Sequence, residues 1–173
     1  MKAFISTVIA SFAITMPAMA SPLPSDHQSL VNTLVNDGVT INVNYPSQAC
    51  NDPYSNGMYI TLNGQREIII CQDNRFDNTI VEWTDNDLDT LRHEIFHSVQ
   101  DCMKGAKNDG TLGTVYNSLS GVIDSYGVYP TMDVMENYAH STGSIIVMEI
   151  EAFYTARDYS PAEIETMYNT YCM

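Results

Sequence analysis

The sequence predicts an α+β domain, with a small antiparallel sheet in its first half packed on a long central helix and further helices toward the C-terminus. Two changes of rhythm carry this expectation. From Val39 to Tyr45 Val, Ile, Val and Tyr alternate with polar residues, the period of a half-buried strand, and two further strand-like runs follow before Cys71. After Glu82 the apolar residues recur at spacings of three and four, the period of a helix. Strands in one block and helices in the next indicate segregated elements rather than a parallel βαβ sheet.

The elements follow in order. Asp26 to Asn36 carries Leu30, Val31, Leu34 and Val35 on one face, a short amphipathic helix ending near Gly38. Val39 to Tyr45 reads as a strand. Met58 to Leu62 and Arg66 to Cys71 read as two more, joined across the Asn63-Gly64 turn. Asp52-Pro53 and Asn56-Gly57 mark the loop before them. Thr84 and Asp87 form a capping-box pattern that opens a helix running to about Lys104. Its apolar stripe is Leu88, Leu91, Ile95, Val99 and Cys102. Gly105 to Gly113 is expected to be a loop. Val115 to Tyr126 and Thr131 to Asp158 are expected to be helical, the second broken near Gly143. Ser160-Pro161-Ala162-Glu163 supplies an N-cap, a proline at the first turn and a Glu at the third position, so a last helix follows.

Residues 1–20 read as a secretory signal peptide: Met1-Lys2, an apolar run from Ala3 to Ile14, and a small-residue Ala18-Met19-Ala20 cleavage site. Residues 21–173 then form a single domain, and the protein is expected to be secreted, into the periplasm or the medium. Four cysteines in an exported chain point to disulfides, for which three pairings exist on paper. Cys50 with Cys71 is favoured because both flank one hairpin. Cys102 with Cys172 then ties the last helix to the end of the central one. With 21 Asp and Glu against 7 Lys and Arg, the chain carries a net charge of −14, which disfavours nucleic acid and anionic membranes as partners. No segment after the leader is long and apolar enough to span a bilayer, and a monomer is expected.

His93-Glu94-Ile95-Phe96-His97 is the stretch that names a chemistry. Two histidines four residues apart stand on one helix face, one turn above each other, and can grip one Zn²⁺. The intervening Glu94 projects beside the metal, where it can take a proton from a metal-activated water. Both histidines lie off the apolar stripe, on a neighbouring face.

Here the chain resembles the zincin group of zinc metallopeptidases, in which a twisted sheet packs on an HExxH helix and a later helix supplies a third ligand. The resemblance covers the element order from about residue 39 to 158, and its specific motif is His93 to His97. It implies zinc ligation by His93 and His97 and a general-base role for Glu94. It also implies that the strand ending at Cys71 is the sheet edge that aligns a peptide beside the zinc. The metzincin branch is excluded, because Gln100 and Met103 occupy the positions of its Gly and third His. A gluzincin-like arrangement needs a downstream Glu, and Met148-Glu149-Ile150-Glu151-Ala152 offers two. Glu151 is favoured as the third ligand, because it precedes a small residue that lets helices pack closely. Only one of the pair can face the histidines. Asp124, in a segment reminiscent of the aspzincin motif, is a competitor. His140, Tyr126 and Tyr138 are candidates to donate a hydrogen bond to a tetrahedral intermediate. His27 reads as an exposed helix-start residue, and Trp83 as packing against the start of the central helix. The expected function is a secreted zinc-dependent endopeptidase acting on peptides or proteins. The alternative is a non-catalytic, zinc-stabilised binding domain.

Overall fold

A computed structural model of the chain describes residues 22–47, 49–52, 54–75, 77–104 and 111–173. The signal-peptide reading of residues 1–20 lies outside these. The described elements run α1 (Ser25–Asn36), β1 (Val39–Val43), β2 (Gly57–Leu62), β3 (Gln65–Ile70), α2 (Asp85–Met103), α3 (Leu119–Tyr126), α4 (Val128–Asn137), α5 (Gly143–Asp158) and α6 (Pro161–Cys172), with a 3₁₀ turn at Gln72–Asn74. The class is α+β. None of the described helices is long and apolar enough to cross a membrane.

The sheet is mixed, which corrects the all-antiparallel expectation. Its order is β1-β3-β2. β2 and β3 form the expected antiparallel hairpin, with Leu62 opposite Gln65. Asn63 and Gly64 turn it with φ of +52° and +80°, the left-handed pair that a two-residue hairpin loop requires. β3 then inserts between β2 and β1 and runs parallel to β1, Val39 opposite Arg66. Alternation of apolar residues reports which face of a strand is buried but not which strand lies beside it, so the crossover was not readable. The Cys50–Cys71 disulfide fastens the crossover loop to the end of β3.

α2 lies across the sheet, and its predicted stripe is the centre of the core. Leu91, Ile95 and Val99 pack with Ile68 and Ile70 of β3, Leu30 and Leu34 of α1, and Ile164 and Tyr168 of α6. Trp83 packs against the same core. The Thr84–Asp87 capping box opens α2, and a second one at Ser160–Glu163 opens α6. The Cys102–Cys172 disulfide joins the last turns of both helices. Arg66, buried on β3, donates to the Asp37 carbonyl and carboxylate at 2.7 Å each and to the Tyr168 hydroxyl at 2.9 Å, clamping α1 and α6 to the sheet.

One helical expectation is shortened, and the other breaks just before Gly143, as expected. The segment from Val115 stays non-helical until Ser118 caps α3, because the backbone N–H groups of Val115 and Tyr116 are drawn to the Glu151 carboxylate. The stretch after Thr131 is two helices, α4 and α5, separated over residues 138–142. These helices enclose a second, smaller core of Val122, Val134, Val147, Ile150 and Tyr154. α5 is therefore buried on two sides, against α2 and against α3 and α4.

Candidate metal centre

The third and fourth turns of α2 carry His93, Glu94 and His97, all buried. Their ligand-type atoms lie within 4.8 Å of one another, and this His-Glu-His group can hold a metal ion. The two imidazoles meet edge to face, with Nε2 atoms 3.1 Å apart. α5 brings a carboxylate to the same point. Glu149 Oε2 lies 3.2 Å from His93 Nε2 and 3.6 Å from His97 Nε2.

These separations test whether the residues fit zinc. Tetrahedral zinc with arms of about 2.0–2.1 Å places neighbouring donor atoms about 3.3 Å apart. The three observed edges straddle that value, so the spacing of these donors is compatible with a metal ion of that size. α2 and α5 are held in this relation by Arg92, whose Nε donates to the Ala156 carbonyl at 2.6 Å, and by close packing at Ala152.

Glu151, favoured from the sequence, is not brought to the histidines' Nε2 atoms. It is buried on the opposite side of α5, where Oε1 accepts from Tyr116 N–H at 2.7 Å and Oε2 from Val115 N–H and Gln100 Nε2, both at 3.1 Å. Burial pushes its carboxyl up, opposed by these donors. Asp124 is exposed on α3, and His140 is exposed beyond α4. Tyr126 stacks on Tyr154 at 4.0 Å, within the smaller core. Tyr138 does reach the site, lining a cavity of about 190 Å³ with His93, Glu94, His97 and Glu149. Burial and the neighbouring Glu149 carboxylate raise its phenol, which stays protonated. His27 is buried rather than exposed, with Nε2 2.7 Å from Arg92 Nη1.

Three contributors escaped the sequence reading. Gln100, one turn beyond His97, has its Oε1 2.7 Å from His97 Nδ1. Phe153, one turn beyond Glu149, packs its ring against His93 at 4.6 Å. Gly57 opens β2 directly over Glu94, and a Cβ there would stand 3.0 Å from the carboxylate oxygen Oε1 and 2.7 Å from the Thr90 methyl. Spacing of one helical turn from a recognised ligand could have flagged Gln100, but nothing local marks Gly57.

The electrostatics follow from burial and crowding. Desolvation raises the Glu94 carboxyl, partly offset by the two histidines and by the Tyr59 backbone N–H. Burial disfavours the His97 imidazolium, but the Glu149 hydrogen bond and the charges of Glu94 and Glu149 outweigh it and lift His97 to about 9. Burial disfavours ionised Glu149, yet the two histidines hold its carboxyl well below the usual carboxylate range.

Compared with known proteins, the chain matches no family model, no curated protein and no solved structure. The site's own geometry is therefore the guide to its chemistry.

An open groove of about 900 Å³ runs past His93 and Glu94, between the loop before β2 and the α4–α5 pair. Order within the sheet makes β2, not the strand ending at Cys71, the edge strand beside the site.

Proposed function

We propose that the protein is an exported zinc-dependent endopeptidase, with His93, His97 and Glu149 as metal ligands and Glu94 as general base. The observation that carries this reading is the convergence of two imidazole nitrogens and one carboxylate oxygen at tetrahedral spacing, with a second carboxylate beside them. Zinc held by three protein ligands supplies Lewis-acid activation of a water and of the scissile carbonyl.

The chain's own residues do the rest. Glu94, buried and raised by desolvation, accepts the proton of the attacking water and passes it to the leaving amine. Tyr138, a protonated phenol in the same cavity, donates a hydrogen bond to the oxygen that gains charge. The open groove accepts a chain that continues past the cleavage point on both sides, which favours internal bonds over termini. Export is supported by the leader-like residues 1–20 and by the two disulfides.

Hydrolysis of a denatured protein by residues 21–173, blocked by a chelator and restored by zinc, is the test. A protein that binds zinc but cleaves nothing would instead be a zinc-stabilised binding domain.

A further inference from the structure

We propose that Gln100 and Glu151 form a positioning relay that aims one ligand, His97, at the metal. This rests on the reading of His93, His97 and Glu149 as a metal centre and names the device that orients it.

The Gln100 Nε2 lies 3.1 Å from Glu151 Oε2 and 3.2 Å from the Met148 carbonyl. The Met148 carbonyl can only accept, so the carboxamide NH₂ must face it and the neighbouring Glu151. Its oxygen then faces His97 Nδ1 at 2.7 Å. An oxygen accepts, so Nδ1 carries the proton and Nε2 is the atom left to bind the metal. The tautomer of a ligand on α2 is thus fixed by groups on α5.

Glu151 is itself immobilised. Its two oxygens take the backbone N–H groups of Val115 and Tyr116 as well as Gln100. The Gly113 N–H bonds the Gln100 carbonyl at 2.7 Å, and a Cβ on Gly113 would stand 2.9 Å from Met103 Cβ, so the segment lies flat on α2. Burying a carboxylate without a cation is unfavourable unless hydrogen bonds compensate, and here each bond points the carboxylate at Gln100 or at the segment that holds it.

The arrangement is one-sided. His93 Nδ1 is buried and has no hydrogen-bond partner among the described residues; that ring packs against Phe153. α5 therefore serves the centre through both its glutamates: Glu149 as ligand, Glu151 as anchor of the relay.

Zinc affinity, read by competition with a chromophoric chelator, tests the relay, with the melting temperature of the zinc-free protein measured beside it. Gln100→Leu should weaken zinc binding about 10- to 100-fold, the usual effect of losing a group that orients a ligand. Gln100→Glu should weaken it too, by setting two carboxylates against each other. Unchanged affinity in Gln100→Leu would overturn the relay. So would losses that merely follow the melting temperature. A wild-type protein that binds no zinc would remove the metal centre itself, and the relay with it.

Discussion

Glu149 and Glu151, two residues apart on α5, send their carboxylates to opposite sides of the helix: Glu149 Oε2 lies 3.2 Å from His93 Nε2, while Glu151 Oε2 lies 3.1 Å from the Gln100 carboxamide nitrogen. Successive positions turn about 100° around a helix, so a separation of two is about 200°. One carboxylate reaches the metal position and the other stands behind His97.

Glu149→Ala should therefore abolish tight zinc binding, and by more than any substitution at Glu151. A ligand lost from a three-residue site removes a bond to the metal, whereas an orienting group costs about 10- to 100-fold. Zinc titration of both variants checks the order, and a tighter Glu149→Ala protein would reverse the assignment.

Glu94→Gln should retain zinc and lose peptide hydrolysis by about 10²- to 10⁴-fold, the range typical of a general base. The carboxamide is nearly isosteric, so the metal donors stay in place. Hydrolysis at the wild-type rate would remove Glu94 from the mechanism.

Gly57→Ala should lower turnover while zinc affinity stays close to wild type. The added methyl meets Glu94 Oε1 at 3.0 Å and the Thr90 methyl at 2.7 Å, and a displacement of about 1 Å in a reacting group can cost about 10²-fold. Thr90→Ser in the same background relieves the second contact but not the first. Stability should then recover and turnover should not, as melting and kinetic assays would show.

Zinc affinity should rise with pH. His97, lifted to about 9, must lose its proton before it binds the metal. Affinity should therefore climb about tenfold per unit as pH rises toward about 9 and level off above it. For the zinc-free fold the sign is opposite. A raised histidine contributes stability that is complete below its ordinary value of 6.5 and lost as pH passes about 9. Glu149, depressed, contributes stability present above its ordinary value of 4.5 and lost only in strong acid. Chelated protein should melt higher near about pH 6 than near about pH 9.5, and the reverse order would contradict the charge arrangement.

Removing the Cys102–Cys172 bridge should destabilise by about 4 kcal/mol, because it closes a long loop; its partners are 70 residues apart. Paired replacement by Ser, followed by denaturant unfolding, measures it. Removing Cys50–Cys71, which closes 21 residues, should cost less, about 3 kcal/mol.

What the sequence revealed, and what it hid, follows from the range of the forces involved. Caps and turns are local, so the Thr84 and Ser160 capping boxes and the Asn63-Gly64 turn were legible, as was the α2 stripe. Both disulfides followed from elements already placed. The parallel pairing of β1 with β3 was not legible, because strand order depends on where the crossover loop travels. The choice of Glu149 over Glu151 was hidden for a related reason. Val147, Ile150 and Tyr154 pack into the smaller core, while Ala152 on another side of the helix packs into the larger one. A helix buried on both sides has no single apolar stripe from which to read its phase. The zincin resemblance rests on His93 to His97, and the fold alone does not carry it.

The central claim is that His93, His97 and Glu149 together hold one zinc. Elemental analysis of wild-type and Glu149→Ala protein, each dialysed after exposure to zinc at neutral pH, tests it most directly. The account predicts about one zinc per wild-type chain and almost none in the variant. A wild-type protein without zinc, or equal zinc in the two, would contradict it.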